Sequence, residues 1–153
     1  MRLQIQASGD SHGSDAEPPT DHAEQENAMA GLARIEHVNL TTFHAGRMED
    51  LLGKLCGWHR RWDGPSLNGG RSIHFGSDHD YIALYTPKDA APASFDKGAP
   101  LNHIGIEVDD IDAAEAVVVA AGLTPFNHGD YEPGRRFYFF DWDGTEWEVI
   151  GYA

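Results

Sequence analysis

The sequence predicts an α+β fold in which one β-α-β-β-β unit occurs twice, so that curved mixed β-sheet lines a cleft and the helices lie outside. The main observation is an internal repeat with an offset of 65 or 66 positions. It relates a histidine near the start of a strand pattern, a glycine that closes a helical pattern, and a last strand. The pairs are His37 and His103, Gly57 and Gly122, and residues 81–85 and 146–150. Three landmarks at nearly one offset indicate a duplication.

Composition narrows the class of protein. A chain of 153 residues is long enough for one domain with a real core. The net charge of −14 argues against nucleic acid, whose phosphates require clustered Lys and Arg. No apolar run is long enough to span a membrane, and the N-terminal residues lack the apolar segment of a secretory signal. A single cysteine, Cys56, excludes an internal disulfide and fits a reducing compartment, so we expect a cytoplasmic protein.

The chain divides by composition into a tail and one domain. Residues 1–33 consist mainly of small, polar and acidic residues and contain few large apolar side chains after Ile5. Such a segment buries too little surface to offset its ordering entropy, so we expect a disordered acidic N-terminal tail. The domain is expected at 34–153, with module one at 34–87, a linker at 88–100 and module two at 101–153.

Module one is expected to contain a strand, a helix and three further strands. Alternation in the first strand puts His37 and Asn39 on one face and Val38 and Leu40 on the other. The helix has apolar residues along one stripe and ends at Gly57. The expected elements are residues 34–42, 45–57, 58–64, 71–76 and 80–86.

Module two repeats the same order of elements. Asp109 or Asp110 is a plausible N-cap for its helix, and Gly122 ends the helical pattern. The expected elements are a strand at 101–108, a helix at 111–121, and strands at 123–127, 135–141 and 145–152.

The repeat also carries a possible metal site. His37 and His103 occupy equivalent positions, and Glu148 lies in the last strand of module two, where module one has Ala83. If both histidines face inward, two imidazoles and one carboxylate would form the facial triad that is typical of non-haem iron. Three protein ligands leave coordination positions open, as a catalytic metal requires.

The doubled unit resembles the vicinal oxygen chelate superfamily, as do the histidine in each first strand and the ending Tyr-Phe-Phe-Asp-Trp-Asp-Gly-Thr-Glu-Trp-Glu at 138–148. That group includes glyoxalase I, type I extradiol dioxygenases, methylmalonyl-CoA epimerase, and fosfomycin- and bleomycin-resistance proteins. The resemblance covers residues 34–153. It implies that His37, His103 and Glu148 are metal ligands, that the substrate is a small molecule, and that the protein is a homodimer. The site would lie within one chain or be shared between two chains.

The resemblance also favours one branch of this superfamily. Glyoxalase I and the epimerase are expected to have an acid or amide ligand where this chain has Ala83, whereas extradiol dioxygenases and fosfomycin-modifying transferases use two His and one Glu. The extradiol signature matches Tyr138, Asp141 and Gly144 before Glu148, with a histidine upstream. It departs at residue 142, a tryptophan in place of proline. We therefore favour Fe(II), while Mn(II), Zn(II) and Ni(II) suit the same ligands.

Other candidate side chains follow from strand alternation. Arg136 shares a face with Tyr138, and Arg71 is its partner at an offset of 65, so both arginines are candidates to bind an anionic substrate. Tyr138 and His128 are candidates for acid–base catalysis. At the same offset His74 aligns with a phenylalanine and is expected to face away from the position of Tyr138.

These observations favour a divalent-metal-dependent enzyme that acts on a small oxygenated, anionic substrate in the manner of an extradiol dioxygenase. Two alternatives remain at this point. One is a glyoxalase-, isomerase- or transferase-type metalloenzyme of the same superfamily. The other is a metal-free ligand-binding protein of the bleomycin-resistance type.

Overall fold

The computed structural model describes residues 34–67, 69–89 and 101–152. The acidic tail expected at 1–33 lies outside the described residues, as do residues 90–100 of the expected linker. Among the helices of the described ranges, none is long and apolar enough to cross a membrane.

Ten elements follow one another in the predicted order. Module one contains β1 (His37–Thr41), α1 (Ala45–Cys56), β2 (His59–Pro65), β3 (Arg71–Gly76) and β4 (Tyr81–Thr86). Module two contains β5 (Ile104–Glu107), α2 (Ile111–Ala120), β6 (Phe126–Tyr131), β7 (Gly134–Phe140) and β8 (Glu146–Tyr152).

Each module forms its own four-stranded mixed sheet. The strand order is β1-β4-β3-β2 in the first sheet and β5-β8-β7-β6 in the second. The pairs β1–β4 and β5–β8 are parallel and the other pairs are antiparallel. The α+β class with two repeated modules is therefore confirmed.

One apolar core joins the helices to one face of each sheet. Met48, Leu51 and Leu52 of α1 and Val118 of α2 are buried in it, and the two helices contact each other. Leu40 of β1 points into this core, whereas its neighbours in the strand are more exposed, as alternation predicts. The opposite face of each sheet is thus left for the candidate functional side chains.

The ends of both helices follow from their local sequences. The α1 helix ends at Gly57, which has a left-handed φ of 66° that a residue with a Cβ rarely adopts. The Asp110 side chain caps α2 by accepting from the backbone N–H of Ala113. Cys56 packs against the core, and burial raises the pKa of its thiol to about 12, which keeps it protonated and unreactive.

The residues just before α1 are held by a residue of module two. The N-cap of α1, His44, makes no side-chain capping bond. Instead Asp143, in the β7–β8 turn, accepts from Thr42 Oγ1 at 2.5 Å and from the backbone N–H of Phe43 at 3.2 Å, and His44 Nδ1 lies 3.0 Å from it. A carboxylate at this end of a helix is stabilised by the helix dipole. The two modules are therefore tied together by polar contacts as well as by the core.

One strand lies further along the chain than expected. The second strand of module two was predicted at 123–127, but β6 covers Phe126–Tyr131. The polar residues after Phe126 are typical of a loop, so the strand was not expected to continue there. In the structure the strand continues because a register shift between Phe126 and Gly129 accommodates one extra residue, and Asn127 adopts a positive φ of 50°. Bulges of this kind occur near sheet edges.

Candidate functional site

His103 and Glu148 meet on the face of the second sheet that lies away from the core. The parallel pairing of β5 with β8 sets Gly105 beside Glu148 and so brings the residue two positions earlier close to the carboxylate. The distance from His103 Nε2 to Glu148 Oε2 is 3.0 Å. The other ring nitrogen, Nδ1, lies 2.8 Å from Asn102 Oδ1, which fixes the orientation of the imidazole.

The second oxygen of Glu148 is held by two donors from β7. Tyr138 donates its hydroxyl to Glu148 Oε1 at 2.9 Å, and Arg136 donates from Nη1 to the same oxygen at 3.2 Å. The Arg136 and Glu148 side chains are each 13% exposed, so this is a largely dehydrated ion pair. Desolvation, and next the hydrogen bond to Glu148, raise the pKa of Tyr138, which therefore remains a proton donor at neutral pH.

Arg136 is itself fixed in place from a second direction. Its guanidinium lies over the ring of Tyr131, 4.5 Å from the centroid, and Nη2 contacts the carbonyl oxygen of Gly134 at 3.5 Å. Its buried Nε has no hydrogen-bond partner within the described ranges. A guanidinium fixed in this way gives the site a positive charge of defined position.

The His103–Glu148 pair fits two ligands of one divalent ion. Donors held at about 2.1 Å from an ion, on neighbouring positions, lie roughly 3 Å apart, and this matches the observed separation of 3.0 Å. Across residues 34–67, 69–89 and 101–152, however, no three His, Cys, Asp or Glu side chains form a group that could hold a metal. The described part of one chain brings together two candidate ligands and no third.

His37 lies on the first sheet and does not join this pair. Its Nδ1 is 2.5 Å from Glu36 Oε2, and its ring stacks on Tyr81 with a centroid distance of 4.9 Å. Of the three ligands predicted from the repeat, the structure therefore brings two together and places the third on the equivalent face of module one.

Strand register corrects the expectation for His74. In the first sheet His74 pairs with Ala83, and in the second Tyr138 pairs with Glu148. His74 is thus the counterpart of Tyr138 and faces the same way, and the prediction that it faces away was wrong. The reason is that the β7–β8 turn is one residue longer than the β3–β4 turn, so the repeat offset is 64 for the third strands and 65 for the last strands.

The same one-residue difference changes the assignment of Arg71. By register its counterpart is Arg135, and both lie on the helix side of their sheets. Arg71 is 59% exposed and binds Asp63, whose second cationic neighbour, Arg60, reaches Glu49 of α1. Arg71 therefore does not share the face of Arg136, and the prediction that the two are repeat partners was wrong.

His128 also lies on the helix side of its sheet. Its Nε2 is 2.9 Å from Glu115 Oε1 of α2, and its ring stacks on the buried Phe137. Phe137 and Tyr138 are neighbours in β7 and point to opposite faces. The structure therefore does not bring His128 to Tyr138 and Glu148.

Sequence reasoning missed a row of rings on module one. On the outer face of its sheet, His37, Tyr81, His74 and Trp62 stand on β1, β4, β3 and β2 in spatial order. Successive centroids are 4.9, 4.5 and 4.8 Å apart, and Arg61 lies 4.9 Å from the Tyr81 ring. We call these four rings the aromatic row. The row depends on the register of all four strands, and the assumed offset placed His74 on the wrong face.

A family model confirms the resemblance that the motifs carry. The model described as the glyoxalase/bleomycin resistance protein/dioxygenase superfamily matches residues 36–139. The chain belongs to this superfamily. No curated protein matches the sequence.

Solved structures of the superfamily share the fold. The glyoxylase/bleomycin resistance protein/dioxygenase domain from Frankia sp. EAN1pec has a TM-score of 0.67 at 20% identity, covering 80% of this chain and 100% of that chain. TnmS3, an antibiotic-binding protein from Streptomyces sp. CB03234, has a TM-score of 0.60 at 17% identity and coverage of 80% and 98%.

A third similar structure contains a metal. A glutamate-to-glutamine mutant of the fosfomycin resistance protein FosX from Listeria monocytogenes, complexed with Mn(II) and 1S,2S-dihydroxypropylphosphonic acid, has a TM-score of 0.60 at 14% identity. The match covers 80% of this chain and 93% of that chain. At such identities these likenesses show the fold. The superfamily contains metalloenzymes and binding proteins alike.

Proposed function

We propose that this chain is a divalent-metal-dependent enzyme that acts on a small oxygenated, anionic substrate, with chemistry of the extradiol-dioxygenase type. The observation that carries the proposal is the His103–Glu148 pair at 3.0 Å, whose carboxylate is held by Tyr138 and Arg136. Supporting hydrogen bonds of this kind orient metal-ligating carboxylates, and their loss typically lowers metal affinity.

The third ligand in this proposal is His37 from a second copy of the chain. His37 lies on the corresponding face of module one, and the described part of a single chain provides no third donor beside His103 and Glu148. A twofold dimer that sets the module-one face of each copy against the module-two face of the other would form two identical sites. Tyr138 and Arg136 would remain beside the ion.

The roles of the side chains follow from their positions. A divalent ion bound in this way would polarise adjacent oxygens of the substrate and leave positions open for dioxygen. Arg136 supplies positive charge for an anionic group, and Tyr138 holds a proton on Oη beside Glu148. Ala83, the counterpart of Glu148, cannot act as a fourth ligand. Iron is the favoured metal because two imidazoles and one carboxylate suit Fe(II), although Mn(II), Zn(II) and Ni(II) accept the same ligands.

The experiment is elemental analysis of protein purified anaerobically without a metal-affinity tag, together with His37→Ala and His103→Ala variants. We expect the native protein to hold one ion per chain and both variants to hold none. Co-expression of the two variants tests whether the site is shared. A mixed dimer would keep one intact site, so random pairing should restore about a quarter of the native metal content. A site built within one chain would restore nothing.

The identity of the metal discriminates between reaction types. Stoichiometric iron would lead to oxygen-uptake assays with a panel of catechols, and unchanged turnover in Tyr138→Phe would remove Tyr138 from the mechanism. Zinc or nickel in place of iron would favour an isomerase or lyase. Absence of metal in native protein, even after reconstitution, would contradict the metalloenzyme proposal.

A second candidate function is metal-free binding of a small molecule. The observation that favours it is that Glu148 already contacts His103, Tyr138 and Arg136, so its charge is balanced without an ion. The fold is shared with the antibiotic-binding TnmS3. A protein that stays metal-free and still binds a ligand on these faces would support this candidate.

A further inference from the structure

The strongest feature outside the His103–Glu148 site is the free end of the aromatic row. Trp62 lies on β2, the edge strand of the first sheet, and is 43% exposed. Its indole covers Gly64, where a Cβ would collide with the ring. The ring can therefore lie flat on the sheet because the residue two positions away is glycine, and its other face is turned to solvent.

The row is not part of the apolar core. Its four rings stand on the face opposite to Ile73, Phe75 and Leu84, which pack against the helices. Cross-strand ring pairs stabilise a sheet by themselves, and that role accounts for the half-buried Tyr81 and His74. It does not require an exposed indole at the end of the row.

The row has charges of both signs beside it, with the Glu36 carboxylate at the His37 end and a positive charge on the strand that carries Trp62. The β2 bulge between Arg60 and Trp62 carries Arg61 to this face, where its guanidinium lies 4.9 Å from the centroid of Tyr81. The row crosses four strands, so its two end rings are separated by roughly 14 Å at ordinary strand spacing. A ligand that reaches from His37 to Trp62 is therefore longer than a single six-membered ring.

We propose that the aromatic row binds a planar, anionic aromatic ligand of two or three fused rings, which stacks on Trp62 and places its anionic group near Arg61. This inference rests on the proposed function in one respect: the far end of the row is His37, so the ligand's other end faces the metal-binding position. It names a substrate class different from the aliphatic phosphonate that is bound to the similar FosX structure.

The test is calorimetric titration of the full chain with three probes. They are 3-hydroxy-2-naphthoate with two rings, anthraquinone-2-carboxylate with three rings, and cyclohexanecarboxylate as a non-planar anion of the same charge. We expect the planar probes to bind native protein about 5- to 10-fold tighter than the saturated probe, in line with the strength of ring stacking. Tighter binding of the two-ring or of the three-ring probe defines the length of fused ring system that the row accepts.

Variants at Trp62 assign this preference to the row. Trp62→Ala should lose about 5- to 10-fold in affinity for the planar probes, whereas Trp62→Phe, which keeps a ring, should lose less than about 3-fold. Trp142→Phe is the matched control, because Trp142 lies against Arg47 of α1 on the helix side. Equal affinity of Trp62→Ala and native protein, or the absence of any preference for planar probes, would overturn the inference.

Two further measurements separate this inference from the metalloenzyme proposal. Trp62→Ala should keep the native metal content, since it is not a ligand. His103→Ala should keep the Trp62-dependent preference for planar probes even when it has lost its metal. If native protein holds no metal and its binding of planar probes still depends on Trp62, ligand binding by the aromatic row is supported and the metalloenzyme proposal is not. If native protein holds its full metal content and Trp62→Ala has no effect on binding, ligand binding by the aromatic row is contradicted and the metalloenzyme proposal is not.

Discussion

The two modules have the same strand order and opposite chemistry on their outer faces. Module two presents Glu148 with its donors Tyr138 and Arg136. At the corresponding register positions module one has Ala83, His74 and the small Ser72. The duplicated backbone therefore carries a hydrogen-bonded ion pair on the outer face of one copy and stacked rings on that of the other.

The differences between the modules occur as a set for a physical reason. A carboxylate on a half-buried sheet face requires donors, because an unpaired buried charge is costly. Glu148 has three neighbours that supply them, and the Ala83 position needs none. The Arg136 position can accordingly be a serine in module one, and the Tyr138 position can be a histidine that stacks on Tyr81.

The strongest prediction removes the charge that distinguishes module two. Glu148→Gln should reduce the metal content to background and lower turnover by about 100-fold or more, because the ion loses its anionic ligand. Metal analysis and oxygen uptake measure the two effects. Glu107→Gln is the control, since Glu107 is an exposed carboxylate on β5 that lies on the same outer face of the second sheet as Glu148. A native metal content in Glu148→Gln would show that the two modules do not differ in the way proposed.

The sequence predicted the fold well because the repeat and the hydrophobic periodicity are local signals. It located nine of the ten elements closely and missed the start of β6, where a bulge makes a strand read as a turn. The pairing of His103 with Glu148 followed from the repeat together with the family resemblance. Arg71 and His74 were misplaced because the β7–β8 turn has one residue more than the β3–β4 turn. The repeat offset is therefore 64 between β3 and β7 but 65 between β4 and β8, and the sequence alone does not show where the offset changes.

Contacts between the modules were equally invisible in the sequence. The hydrogen bonds of Asp143 with Thr42 and Phe43 join residues about a hundred positions apart, and no local motif marks them. The aromatic row depends on the register of four strands at once, which no single strand's alternation determines.

The next prediction compares the corresponding turns of the two modules. Asp143→Ala should lower the free energy of unfolding by about 2–3 kcal/mol, because the Thr42 hydroxyl and the backbone N–H of Phe43 lose a largely buried acceptor. Asp78→Ala in the β3–β4 turn should leave it nearly unchanged, since Asp78 is largely exposed and only approaches His59 at 3.6 Å. Urea denaturation of both variants measures the difference. Equal losses would mean that the link between the modules adds no stability.

A smaller effect is expected from the first residue of each turn. Asp141 accepts from the backbone N–H groups of Asp143 and Thr145 and from Trp147 Nε1, whereas the same turn in module one is built on the neutral Ser77. Burial raises the pKa of Asp141 in spite of these hydrogen bonds. The folded protein therefore holds this proton more tightly than the unfolded chain does, so ionisation of Asp141 costs stability as the pH rises.

Asp141→Asn separates the charge of this residue from its hydrogen bonds. At neutral pH the variant should be less stable by about 1 kcal/mol, because an amide cannot accept from all three donors. As the pH falls through the raised pKa of Asp141 toward that of the unfolded chain, native protein should gain stability relative to the variant. Urea denaturation at pH 7 and at pH 4.5 measures the change. A Ser77→Ala variant should show no such pH dependence relative to native protein.

The smallest effect is expected for His128. Its contacts are with Glu115 and Phe137 on the helix side of the second sheet, away from Tyr138 and Glu148. His128→Ala should therefore leave metal content and turnover unchanged and alter the free energy of unfolding by less than about 0.5 kcal/mol, as expected for an exposed pair. A tenfold loss of turnover with full metal content would place His128 at the reacting groups. It would also mean that the outer face of module two does not hold all the chemistry of that module.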